Sequence, residues 1–349
     1  MVRRFLERIA APVRGLHQAA YVLAALTLAS QALALLRDRT FAHTFGAGHT
    51  LDLYYAAFRV PDLVFALVSS LVSAYVIIPR IAGMDREETR ALLSESATFL
   101  LLFGGAICLV LAALMPQFLS LLYPDLAASP DAAAFVLLAR VLLVQPILLG
   151  LSGVLGSVTQ VHRRFFLFAL SPVLYNLGII FGAIVLYPRL GLPGIGIGVI
   201  LGAIGYAAMN IPVVMEAGVF PRFEFPTFSR MLPVVRDSVP RSLALGMGSI
   251  TLLALTALAA RLGAGAVSVF TLAGNLEAVP LSLIGSSYAV AAFPALSESA
   301  GKEGGEFTRV LGASARRILL GWFVFVGLIA VLRAHSERVI LGRGAFGWN

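Results

Sequence analysis

Asp52, Arg59 and Asp62 stand seven and three residues apart in an otherwise apolar run, with Pro61 between the last two. An ionisable side chain within a long apolar helix costs several kcal/mol, so it faces a cavity or a partner. At about 100° per residue, positions 52 and 59 fall about 20° apart and positions 59 and 62 about 60° apart. One helix face can therefore carry all three, with Arg59 within reach of either carboxylate. Two chemistries fit: a charged lining for a solute path, or a structural ion pair in a helix that Pro61 kinks near Arg59.

A second polar set, Asn275 and Glu277, precedes Pro280 in a later apolar stretch and mirrors the first. Arg37, Asp38 and Arg39 close the first apolar run, where they suit an interfacial anchor. Arg140 can snorkel to the interface, and Asn176, Asn210, Gln145 and Gln160 suit hydrogen bonds between helices.

Enzyme signatures are missing. The five histidines are scattered without metal-ligand spacing, and no nucleophile elbow, zinc-protease or phosphate-loop run occurs. No cofactor or metal is expected, and the chain reads as a non-enzyme. The lone Cys108, mid-run among apolar residues, reads as a small buried side chain. Gly191 to Gly205 reads as a small-residue packing face.

The elements that must position these residues follow from composition. The 349 residues are 59% hydrophobic and 13% charged, about half the charge of a soluble domain. Apolar stretches of about 20 residues, the length that crosses a bilayer core, alternate with short charged loops. Backbone amides facing lipid must pair within their own segment, so the fold class is an all-α integral membrane bundle. Nine spans are expected, at about 16–36, 52–78, 91–115, 133–157, 165–187, 192–215, 238–260, 266–293 and 311–332. Residues 1–15 place Arg3, Arg4, Arg8 and Arg14 between Val2, Phe5, Leu6, Ile9 and Val13, an amphipathic segment lying on the membrane surface.

With the N-terminus in the cytoplasm, inner segments hold 17 of the 26 basic residues and outer segments 7, the bias of a positive inside. That placement at span ends sets aside nucleic acid as the partner of the +8 net charge. Phe45-Gly46-Ala47-Gly48 recurs as Leu262-Gly263-Ala264-Gly265, each opening a span that ends at a proline (Pro79, Pro294) before a charged inner loop. Parallel six-span repeats are a transporter architecture, with the substrate path between halves. The organisation expected is an N-lobe over 16–220 and a partial C-lobe over 221–349.

The run Arg37-Asp38, Phe45-Gly46-Ala47-Gly48, Asp52, Ala57-Phe58-Arg59, Pro61 and Pro79 resembles the MurJ/MviN family. So do Phe293-Pro294-Ala295-Leu296-Ser297 and Leu341-Gly342-Arg343-Gly344-Ala345-Phe346. The resemblance implies a flippase of the multidrug/oligosaccharidyl-lipid/polysaccharide exporter superfamily. Such a flippase carries lipid II, an undecaprenyl-pyrophosphate-linked glycan, from the inner to the outer leaflet of the bacterial inner membrane by alternating access. It implies a cavity of arginines for the pyrophosphate. Arg37 matches one such position, while Gln31, Phe65 and Asn275 stand at three others, Ser70 at an acidic one and Asp62 at an asparagine. Asp52 and Arg59 match. Arg37 and Arg59 are then expected to hold phosphates, and Asp52 to orient an arginine or couple to an ion. The family also has about five further spans, so the chain is expected to be either part of a longer product or a shortened relative. Two alternatives stay open. One is an ion-coupled exporter of small molecules from the same superfamily, and the other a non-transporting scaffold for cell-wall synthesis proteins.

Overall fold

The computed structural model describes residues 16–280 and short helical stretches between 308 and 331. All the described regular structure is helical. Eight long elements follow in chain order: α1 (Leu16–Phe45), α2 (His49–Ile81), α3 (Arg86–Leu122), α4 (Ala132–Val161), α5 (Phe165–Leu190), α6 (Leu192–Glu216), α7 (Phe228–Ala260) and α8 (Ala266–Pro280). Helices α2 to α7 are each long and apolar enough to cross a membrane, and they overlie the second to seventh spans expected. The segment 1–15, the residues around Pro294 and the loop carrying Lys302 lie outside the described residues.

One expectation changes. Helix α1 does not end near residue 36; it runs unbroken to Phe45, so Arg37, Asp38 and Arg39 lie within the helix and not at its end. Pro61 lies inside α2, which stays α-helical to Leu67. The change of winding comes later, in a 3₁₀ turn at Ser69–Val72. There the Ser70 hydroxyl donates to Ala66 O at 2.5 Å and the Ser69 hydroxyl to Pro146 O at 2.8 Å. Serine hydroxyls that compete for backbone acceptors loosen a helix at the position where they do so.

The charged stretch after α2 becomes a helix start. Asp85 accepts from the Glu88 amide at 2.8 Å, and the Glu88 side chain accepts from the Asp85 amide, a capping box that satisfies two orphan donors. The next helix pair depends on glycine. Gly178 and Gly182 of α5 meet Gly194, Gly198 and Gly202 of α6 so closely that a Cβ at Gly198 would strike the Gly182 backbone. Within lipid, small residues that let two backbones approach supply the contact that hydrophobicity cannot.

Arg140 of α4 donates through Nε to Ala112 O at 2.8 Å. Ala112 lies four residues before Pro116, which has no amide hydrogen to offer that carbonyl. Arg140 therefore satisfies an acceptor that proline leaves open in α3.

Helix α7 lies along α2, with buried polar joints at intervals. The Ser70 and Ser242 hydroxyls are 2.6 Å apart, and the Ser238 hydroxyl donates to Leu71 O at 2.7 Å. Nearer the helix end, Arg80 pairs with Asp237 at 2.5 Å. The linker into α7 is held by α3. Ser94 accepts from the Arg222 amide at 2.9 Å, and buried Glu95 accepts from the Thr227 amide at 3.0 Å and pairs with Arg230.

Candidate functional site

Three polar joints connect α1, α2 and α5 to α7 and α8. The first is built on Arg37. Its Nε and Nη2 donate to one oxygen of Asp38, at 2.9 and 2.8 Å, and Nη1 donates to Asn176 Oδ1 of α5 at 3.2 Å. The other Asp38 oxygen accepts from Asn275 Nδ2 of α8 at 3.0 Å. Asn176 is itself fixed, because its Nδ2 donates to Pro172 O at 3.0 Å. Tyr54 of α2 lies near Arg37, and its ring sits between those of Phe41 and Phe58, with centroids 4.8 and 4.9 Å apart in successive edge contacts. Apolar walls of this kind lower the local dielectric and strengthen the charged bonds they enclose.

The second joint is Arg59. It does not pair with Asp52 or Asp62, which corrects the shared-face ion pair. Its Nε donates to Thr256 Oγ1 of α7 at 2.8 Å and its Nη2 to Thr271 Oγ1 of α8 at 3.1 Å. Helical phase alone cannot see this, since the winning acceptors lie about 200 residues away in sequence. Among the described residues, no carboxylate neutralises Arg59 by an ion pair.

The third joint is Asp52. One of its oxygens accepts from the Gly265 amide at 2.5 Å, and the other from the Ser268 amide and hydroxyl at 2.7 and 2.5 Å. Asp52 thus caps the start of α8 from a different helix, where first-turn amides and the helix dipole favour an anion. Gly265 has φ +90°, and a Cβ there would run into the Ala47 carbonyl. The two glycine turns recognised as a repeat therefore pack against one another.

The remaining expected site residues are not gathered into these joints. Asp62 and Gln31 are half-buried, Glu277 is exposed, and none makes a hydrogen bond with the described residues. Phe65 and Ser70 line a separate cavity of about 380 Å³, with Tyr75 and Arg241. Thr256, Thr271 and Ser268 carry the joints yet gave no signal in sequence, because single hydroxyl residues are ordinary in membrane helices. No group of three or more His, Cys, Asp or Glu side chains converges as a metal site among the described residues.

The three joints thus bring the first two helices and α5 against α7 and α8. The sequence model of the family described as lipid II flippase MurJ matches residues 41–349, most of the chain. The chain belongs to that family. Among curated MurJ relatives, the lipid II flippase of Burkholderia cenocepacia is 26% identical over 308 residues, covering 82% of this chain and 58% of that protein. The probable lipid II flippase of Haemophilus influenzae is 26% identical over 350 residues, covering 93% of this chain and 68% of that one. The chain thus spans about three fifths to two thirds of the length of these MurJ relatives. A solved lipid II flippase MurJ in an inward closed conformation superposes with a TM-score of 0.77 at 20% identity, covering 93% of this chain and 68% of its own. An inward-facing multidrug resistance MATE family transporter of the MOP superfamily gives 0.73 at 17% identity, covering 90% and 73%. These two likenesses show the all-helical fold.

Proposed function

We propose that this chain carries a lipid-linked, pyrophosphate-bearing glycan, with lipid II as first cargo, between the leaflets of the bacterial inner membrane. Lobes at 16–220 and 221–349 rock about the joints described, with the N-terminus in the cytoplasm, so that the cavity opens to each side in turn. The observation that carries this reading is Arg59, a guanidinium at the junction of α2, α7 and α8, held by two threonine hydroxyls rather than by a carboxylate. Neutral acceptors leave its positive charge available to an anion, and a planar fork matches phosphate oxygens. Arg37 supplies a second guanidinium, tempered by Asp38. Breaking the Asn275–Asp38 bond would separate α8 from α1 and release Arg37 toward the cargo.

The test is genetic and biochemical together. A bacterium depleted of its own lipid II flippase receives this chain, and leaflet exposure of lipid II is followed with a membrane-impermeant label. Rescue that is lost in the Arg37→Ala/Arg59→Ala double variant supports the reading. Rescue equal in both sinks it. A membrane scaffold for cell-wall synthesis proteins would instead be indifferent to both arginines. An ion-coupled exporter would give sodium- or proton-dependent efflux needing Asp52 or Glu277.

A further inference from the structure

The cavity of about 380 Å³ lies between α2, α4, α5, α6 and α7, away from the three joints. Its walls are largely apolar, including Phe65, Leu149, Phe168 and Leu245, and no acidic residue lines it. One cation does. The Arg241 guanidinium carbon lies 3.4 Å from the centroid of the Tyr75 ring. Among the described residues Arg241 has no hydrogen bond or ion pair. The nearest carboxylate on its own helix, Asp237, is already engaged by Arg80.

A guanidinium stacked on an aromatic face keeps its in-plane N–H donors free, because the ring occupies only its flat side. The pocket therefore presents an oriented fork with unspent charge, in walls that reject a free, strongly hydrated ion. A ligand that satisfies both features has a phosphate at one end and hydrocarbon at the other. Along α2, Tyr75 is sixteen residues from Arg59, roughly 24 Å at 1.5 Å per residue. The pocket is thus a station distinct from the Arg59 joint, near the helix end where Arg80 and Asp237 meet.

We infer that Arg241, stacked on Tyr75, forms a binding site for the phosphate end of an isoprenoid pyrophosphate before it reaches Arg37 and Arg59. This rests on the proposed lipid-linked cargo and adds a loading site to it. The fork takes two phosphate oxygens, Gln160 lies on the same cavity, and the apolar wall takes the first isoprene units.

The test uses the whole chain in detergent with farnesyl pyrophosphate as probe, its binding measured by titration calorimetry. Arg241→Gln should weaken binding at least tenfold. Arg241→Lys, which keeps charge but loses the fork, should fall between. Tyr75 is 70% exposed, so Tyr75→Leu leaves packing intact and should weaken binding about threefold, deciding the matter should Arg241→Gln unfold. Inorganic pyrophosphate should bind far more weakly than the farnesyl compound. Equal binding of the two would mean a free-anion site, and competition by phosphatidylglycerol micelles would mean an ordinary bilayer lipid. Either result overturns the inference, as does unchanged binding in both Arg241→Gln and Tyr75→Leu. Loss of farnesyl pyrophosphate binding in Arg241→Gln, in a chain that never exposes lipid II, would keep this site while removing the flippase reading. Lipid II movement that needs Arg37 and Arg59 but not Arg241 would do the reverse.

Discussion

Asn275 of α8 and Asp38 of α1 share a hydrogen bond of 3.0 Å across 237 residues of chain. Asp38 is 4% exposed, and its other oxygen is held by Arg37. Replacing Asn275 by alanine leaves one buried carboxylate oxygen without its donor. The expected cost is about 1–2 kcal/mol, near the upper range for hydrogen bonds between membrane helices. A double-mutant cycle with Asp38→Asn, read by thermal unfolding in detergent, should give a coupling of about 1 kcal/mol. Strict additivity of the two changes would mean that the bond contributes nothing.

Asp52 holds α8 through three hydrogen bonds at its start. Asp52→Asn places an amide where the carboxylate accepts, and one of its two ends must then face a donor with a donor. The expected destabilisation is about 1–3 kcal/mol, and Asp52→Ala should match or exceed it. Melting temperature in detergent checks this. A normal melt combined with lost ion dependence of transport would assign Asp52 to coupling rather than to capping.

Gly198 faces the Gly182 backbone with no room for a methyl group. Gly198→Val must push α6 away from α5, and overpacking of this kind costs about 1–3 kcal/mol or more. Gly205→Ala is the control, since its Cβ would meet the Leu174 side chain at an ordinary 3.5 Å. Folded yield after membrane extraction should drop for the first and hold for the second. Equal yields would remove the close helix contact from the account of the fold.

Arg140 and Pro116 form a compensating pair through the Ala112 carbonyl. Arg140→Leu should destabilise α3 by about 1–3 kcal/mol, the cost of an acceptor left unmet. Pro116→Ala restores an amide at the right place in the helix and should suppress most of that loss. Hydrogen exchange across 109–120 would show the effect locally. No suppression in the double variant would mean that Arg140 acts elsewhere, for instance as an interfacial anchor.

Helical architecture and the paired glycine turns were legible in the sequence by itself, and six of the nine expected spans coincide with membrane-length helices among the described residues. Each rests on a one-dimensional signal: apolar length against bilayer thickness, charge at span ends, and a recurring Gly-Ala-Gly. Asp52 and Arg59 were visible for the same reason, because a charge inside an apolar run stands out wherever it leads. Their partners were not. Helical phase placed Arg59 beside Asp52 and Asp62, yet its acceptors are Thr256 and Thr271, and those of Asp52 are Gly265 and Ser268. Arg140 suits a snorkelling side chain in sequence, and only the fold brings it to the Ala112 carbonyl that Pro116 leaves open. A buried charge takes the strongest donors or acceptors that packing brings within about 3 Å. Which groups those are depends on how α2 lies against α7 and α8, a relation between segments some 200 residues apart that no local pattern encodes. Sequence determined that these charges must be answered; tertiary structure alone decided by what.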